Sequence, residues 1–130
     1  MFLIKTNEKL LNGLYYEWLN NLFAYNQQLE SLESAIDAIV KGIDSGILDF
    51  EFRSNLEEIK ADLYAEKLEI EVLSELILAK REKVVKGEPD GIIAFSEVIE
   101  NNHLRDKVRK AEQQAFYLKY QVNKLLSKAS

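Results

Sequence analysis

The sequence has few of the residues that mark a chemical site. It contains no cysteine, which excludes a disulfide framework, a thiolate zinc site and a cysteine nucleophile. His103 is its only histidine, and it has one proline and five glycines; so few helix breakers favour long helices joined by few turns. No apolar run exceeds four residues, so we expect no signal peptide and no membrane-spanning helix, and we predict a cytoplasmic protein.

The composition is typical of a folded protein. Hydrophobic residues make up 47% of the 130 residues, which is enough to form a core, and we predict a single helical-bundle domain over residues 1–130. The formal net charge is −5. An acidic chain argues against nucleic acid and against an anionic membrane surface as partners.

The spacing of apolar residues predicts a long first helix. From 11 to 43, apolar or aromatic residues recur at alternating steps of four and three, which is the period of a helix with one buried stripe. At about 1.5 Å per residue this helix is roughly 50 Å long, and it needs partners of similar length to bury its stripe. The stripe consists of Leu11, Tyr15, Trp18, Leu22, Tyr25, Leu29, Leu32, Ile36, Ile39 and Ile43.

Two further regions repeat this spacing. Residues 52–84 follow it with two exceptions, Glu66 and Lys80, and residues 104–125 follow it without exception. The links between the regions are short, which favours antiparallel neighbours. The predicted fold class is all-α: an elongated up-down-up bundle of three long helices, coiled-coil-like in its heptad spacing.

The start of the third region is out of phase with the remainder. Ile99 and Leu104 are five residues apart, a step that breaks the stripe, and Asn101 and Asn102 lie at the break, where asparagine could cap a helix. Two arrangements fit this pattern. One has a short extra helix near 91–101 followed by a long helix, and the other has a single kinked third helix.

Apolar residues in excess of the three stripes gather at one end of the predicted bundle. Up-down-up topology brings together the first half of helix one, the second half of helix two and the start of the third region. Either the short helix near 91–101 covers this surface, or the surface is an interface with a protein partner or a second copy. We predict a homo-oligomer, most simply a dimer. The interface candidates are Tyr16, Leu19, Phe23, Val72 and Leu76.

Two polar features have a chemical interpretation. Glu100 and His103 have the Glu-x-x-His spacing of helical bundles that hold two metal ions. Such sites need a second motif of this kind, which a single histidine excludes. We therefore interpret His103 as a surface residue and predict no metal and no cofactor. Glu66 is a carboxylate on a buried stripe, and we interpret it as a group that fixes helix register, with Tyr25 or Gln114 as a hydrogen-bond donor.

The last helix is basic. From 104 to 130, seven basic residues oppose two acidic ones, a net charge of +5. Binding to nucleic acid would need these charges on one face with aromatic side chains that stack on bases, and Phe116, Tyr117 and Tyr120 lie close by in the sequence. The simpler interpretation is a solvated helix face opposite acidic neighbours. The densest part of this basic patch is Arg105, Lys107, Arg109 and Lys110.

These observations favour a non-enzymatic helical interaction or structural protein: an adaptor, an assembly subunit or a chaperone-like binder of amphipathic helices. The sequence contains no Gly-x-Ser-x-Gly elbow, no phosphate-binding glycine loop and no His-Glu-x-x-His motif, so we predict no catalytic residue. Two alternatives remain. One is a nucleic-acid-associated accessory protein that uses the basic third helix, and the other is a metal-binding protein that uses Glu100 and His103.

Overall fold

Three long helices make up most of the chain. The computed structural model describes residues 4–5, 8–42, 50–85, 92–93 and 95–129, with side chains described for 11–41, 50–83 and 100–128. The helices are α1 (Glu8–Gly42), α2 (Phe50–Val85) and α3 (Phe95–Ala129). The predicted turns at 44–49 and 87–91 lie outside the described residues.

The helices form the predicted all-α bundle. Their lengths of 35, 36 and 35 residues correspond to roughly 50 Å each, and every helix packs against the other two. Polar contacts show the relative directions of α1 and α2. Lys60 of α2 pairs with Asp37 near the end of α1, and Arg81 donates to Asn12 near its start, so the two helices are antiparallel. None of the described helices is long and apolar enough to cross a membrane.

The buried side chains are those of the predicted stripes. In all three helices the residues at four-and-three steps point inward, and the largest fully buried ones are Leu22, Leu29, Ile36, Leu63, Ile77, Leu118 and Val122. Tyr25 and Phe52 are stripe residues that are only partly buried against this core. Ala111 and Ala115 are buried small residues, as expected where the helices approach closely.

The short extra helix near 91–101 is not formed. Residues Ile92–Ile93 form a strand, and α3 is a single helix from Phe95 onward. The break in the apolar stripe is therefore a change of side chain within one helix. Asn101 occupies the stripe position before Leu104, and its Oδ1 accepts a hydrogen bond of 2.7 Å from the hydroxyl of Tyr15.

A two-residue strand pair was not predicted from the sequence. Strand β1 (Ile4–Lys5) lies antiparallel to β2 (Ile92–Ile93), with Ile4 opposite Ile93 and Lys5 opposite Ile92. The pair joins the segment before α1 to the segment before α3. Because α1 and α3 begin at the same end of the bundle, the pair lies at the end where the sequence has its excess of apolar residues.

Candidate interaction surface

An apolar ridge crosses the exposed surface of α2. It consists of Tyr64, Leu68, Val72 and Leu76, which we call the α2 ridge; all four are exposed, Tyr64 by 63% and Val72 by 66%. Four residues are slightly more than one helical turn, so a series with this spacing runs obliquely around a helix. The ridge therefore runs across α2 from the side of α1 to the side of α3.

Each side of the α2 ridge borders a groove. Between α1 and α2 lies a groove of about 680 Å³ that Tyr64 lines together with Phe23 of α1. Between α2 and α3 lies a groove of about 670 Å³ that Val72 and Leu76 line. Leu68 lines both. The ridge and the two grooves therefore form one continuous apolar surface, centred on the middle of α2.

The predicted interface residues fall on two sides of this surface. Tyr16 and Phe23 are exposed on the side of α1, and the guanidinium carbon of Arg81 lies 5.4 Å from the centre of the Tyr16 ring. Val72 and Leu76 border the α2–α3 groove. Leu19 differs from the other four, because it is partly buried against the core.

Sequence reasoning missed Tyr64 and Leu68, which connect the two predicted halves. The signal was present, because these two residues begin a series with i, i+4 spacing that continues through Val72 and Leu76, beside the buried stripe. The heptad walk follows the seam of a helix and gives no reason to inspect residues that lie off it. The apolar surface is consequently found along α2 and is not confined to one end of the bundle.

The outer face of α2 is acidic. If the buried stripe takes heptad positions a and d, positions b, c and f point away from the core. Between 50 and 83 every charged residue at those outer positions is an exposed glutamate, namely Glu51, Glu57, Glu58, Glu71, Glu75 and Glu82.

The basic residues of α2 lie on its flanks and its seam instead. Lys67 pairs with Glu30 and Glu33 of α1 at 4.0 and 3.4 Å. Lys80, on the seam, pairs with Glu100 of α3 at 2.6 Å. These pairs use the cations of α2 inside the bundle, so the α2 ridge is flanked on its outer face by carboxylates alone within residues 50–83.

The outer face of α3 has the opposite character. Phe116, Tyr117 and Tyr120 are exposed, Phe116 by 73% and Tyr120 by 60%. At the same outer heptad positions lie exposed basic residues, with Asp106 as the single carboxylate between 100 and 128. We call this surface the α3 face; it comprises Arg109, Lys110, Phe116, Tyr117, Tyr120 and Lys124.

The structure separates the predicted basic patch. Arg105, Lys107, Arg109 and Lys110 are all exposed, but they lie at different positions around α3. Lys107 and Lys110 line the α2–α3 groove, whereas Arg105 lies on the flank toward α1. Only Arg109 and Lys110 belong to the outer face that carries the aromatic residues.

Glu66 is a buried carboxylate at the wall of the α2–α3 groove. Its side chain is 7% exposed, and burial raises its pKa to about 7, with a further rise from the charge of Glu69 and a side-chain hydrogen bond to it, opposed by Lys110. Of the two predicted donors, Gln114 lines the same groove. Tyr25 instead hydrogen-bonds Glu112, and burial together with that carboxylate raises the pKa of Tyr25.

The Glu-x-x-His pair is engaged differently from a metal site. Lys80 donates a hydrogen bond of 2.6 Å to the Glu100 carboxylate, and this bond together with the lysine charge lowers the pKa of Glu100. His103 is exposed. Within the part of the chain that the structure describes, no three histidine, aspartate or glutamate side chains are grouped so that they could hold a metal ion.

Comparison of the chain with protein-family models, with curated proteins and with solved structures gave no match. The function therefore has to be inferred from the surfaces of the bundle.

Proposed function

We propose that the protein is a non-enzymatic structural or interaction protein that self-associates through the α2 ridge and acts in the cytoplasm. The observation that carries the proposal is the continuous apolar surface of Tyr64, Leu68, Val72 and Leu76, which borders a groove on each side. Burying one large apolar side chain contributes about 1.5–3 kcal/mol. Four such residues are enough to hold two copies together once the cost of association is subtracted.

The shape of the surface supports a helical occupant. A straight ridge between two grooves is the surface that another helix packs against, with its side chains in the grooves. The protein's own helices have the required length. A second copy is therefore a suitable occupant, and closed twofold dimers are the commonest assemblies of this type.

The solution mass tests this proposal. We expect a dimer, twice the 15.0 kDa of the chain, at tens of micromolar in sedimentation experiments. Tyr64→Glu and Val72→Glu should each give folded monomers, because a charge on the ridge would be desolvated in the interface. Both residues are exposed, so the helical circular dichroism signal should persist.

Gln27→Glu is the matched control. Gln27 is an exposed residue on the far side of α1, and the same added charge there should leave the dimer intact. A wild-type protein that stays monomeric at 100 µM and does not bind a hydrophobic dye would overturn the proposal.

The α3 face favours a second candidate function, binding of single-stranded nucleic acid. Three exposed aromatic side chains lie between Arg109, Lys110 and Lys124 on one helix face. Bases stack on such side chains at about 1–3 kcal/mol each, while basic residues contact phosphates. The net charge of −5 for the whole chain opposes this interpretation.

An oligonucleotide titration distinguishes this candidate. A fluorescent single-stranded 20-mer should bind with an affinity that falls as salt rises, and Phe116→Ala with Tyr120→Ala should weaken it. Phe50→Ala is the control, because Phe50 is an exposed aromatic residue outside the α3 face. Equal weakening by the control, or no binding at 50 mM salt, would exclude the candidate.

A further inference from the structure

We propose that the α2 ridge of one copy docks on the α3 face of a second copy, and that this contact occurs twice around a twofold axis parallel to the bundle. The inference rests on the proposed self-association and names the surfaces that meet.

Charge excludes the most obvious alternative, in which α2 packs on α2 of the second copy. The outer face of α2 carries only glutamates as charged residues between 50 and 83. Pairing two such faces would bring carboxylates together, and like charges across an interface are costly. The α3 face offers Arg109, Lys110 and Lys124, so it complements the outer face of α2 in charge.

The levels of the residues along the bundle also match. The Lys80–Glu100 pair fixes which residues of α2 and α3 lie side by side. Tyr64 precedes Lys80 by 16 residues, and Phe116 follows Glu100 by 16. Because α2 and α3 are antiparallel, Tyr64 and Phe116 lie at the same level.

The acidic and basic groups match at two further levels. Glu71 precedes Lys80 by 9 residues, and Arg109 follows Glu100 by 9. Glu58 precedes Lys80 by 22 residues, and Lys124 follows Glu100 by 24, which is a difference of about 3 Å. Rotation about an axis parallel to the helices preserves level, so α2 of each copy would place an aromatic residue and two carboxylates opposite matching groups on α3 of the other.

The aromatic residues provide much of the area such a contact needs. Tyr64, Phe116, Tyr117 and Tyr120 are each more than half exposed, which leaves roughly 100 Å² of accessible surface on each. Twofold symmetry buries both sets, on the order of 800 Å² from aromatic side chains alone. A stable interface buries about 1,200–2,000 Å² in total, and Leu68, Val72 and the charged pairs add to that sum.

Charge reversal on the two surfaces tests the arrangement. An acidic-to-basic variant carries Glu58→Lys and Glu71→Lys, and a basic-to-acidic variant carries Arg109→Glu and Lys124→Glu. Each variant alone should be monomeric at a concentration where the wild type is dimeric, with at least a tenfold weaker dimer, because both of its contacts join like charges. An equimolar mixture should form a heterodimer, because each of its two contacts then joins opposite charges.

Controls separate this result from general effects of charge. All four positions are exposed, and circular dichroism should show unchanged helicity. Glu17→Lys on the outer face of α1 and Lys119→Glu on the flank of α3 make the same charge changes at exposed positions outside the contact, and both should leave the dimer intact. The neutral pair Glu58→Gln with Glu71→Gln should weaken the dimer less than the lysine variant, which keeps the test informative if a reversal disturbs folding.

Each other outcome overturns a specific statement. If Val72→Glu is monomeric but the basic-to-acidic variant still dimerises, the protein self-associates without the α3 face, and the docking arrangement is wrong while the proposed function stands. If the wild type is monomeric under all conditions, the proposed function fails. If the wild type is monomeric and the basic-to-acidic variant loses binding of a single-stranded 20-mer, the α3 face binds nucleic acid and not a second copy.

Discussion

At the scale of single residues, Glu66 is the least expected feature of the core. Its side chain is almost completely buried at a seam position where the other two helices have apolar residues at the same height. Burial favours the neutral acid, and Glu69 and Lys110 act on it with opposite sign. A carboxyl group that can hold a proton near neutrality is tolerated in this position because it does not have to be charged there.

Glu66→Gln should change how stability depends on pH. The folded-state pKa of about 7 is above the ordinary value of 4.5, so between these values the folded protein binds more protons than the unfolded chain. Stability therefore falls as pH rises through this window. Glutamine has no such proton, so the variant should match the wild type near pH 4 and exceed it above pH 7 by on the order of 1–3 kcal/mol.

Urea denaturation at pH 4 and pH 8, at one protein concentration, measures this difference. Glu71→Gln removes an exposed carboxylate from the same helix, and its stability relative to the wild type should be nearly the same at both pH values. A constant difference for Glu66→Gln would show that Glu66 titrates in the folded protein as it does in the unfolded chain.

At the scale of elements, polar contacts between helices lie where the apolar seam is interrupted. Asn101 interrupts the stripe of α3 and accepts a hydrogen bond from Tyr15 of α1. Lys80 interrupts the stripe of α2 and pairs with Glu100 of α3. Polar groups at seam positions favour one alignment of neighbouring helices over alternatives shifted by a heptad.

A double-mutant cycle tests the Tyr15–Asn101 contact. Tyr15→Phe and Asn101→Leu each remove one partner, and each should destabilise the protein by about 1–3 kcal/mol, because a group in a largely buried site loses its partner. The double variant should lose less than the sum of the two. Thermal or chemical denaturation gives the four free energies, and strict additivity would show that the hydrogen bond does not couple α1 to α3.

At the scale of the whole molecule, charge is divided between the first two helices and the third. Residues 1–103 carry 10 basic and 20 acidic groups, a net charge of −10, whereas 104–130 carry +5. Such a division produces opposite potentials on different faces of one molecule. It favours arrangements in which unlike faces of two copies meet.

The dimer should therefore weaken as salt rises. Between 50 and 500 mM sodium chloride the range of charge interactions shortens from more than 10 Å to a few ångström, so the dissociation constant should increase several-fold. The Glu58→Gln, Glu71→Gln variant should show a smaller dependence. Sedimentation at several salt concentrations provides the measurement, and an association that becomes tighter with salt would indicate apolar contact without charge pairing.

Sequence alone determined the composition of the core. The alternating steps of four and three are a direct consequence of helical geometry, so residues such as Leu22, Ile36, Leu63 and Leu118 could be assigned to the interior, and all of them are buried. The same pattern predicted three long helices, because a stripe of that length needs partners of equal length. A run of basic residues in the sequence does not show which of them share a surface, and the helix separates Arg105 from Lys107 and Lys110.

The tertiary structure decided what the seam pattern leaves open. A five-residue step between Ile99 and Leu104 fits a separate helix or a continuous one, and only the contact between Asn101 and Tyr15 shows why the helix continues. The α2 ridge was likewise undetermined, because the exposure of Tyr64 and Leu68 depends on where the neighbouring helices end their cover. Periodicity specifies the side of a helix that is buried; the width of that buried side is set by the helices that pack against it.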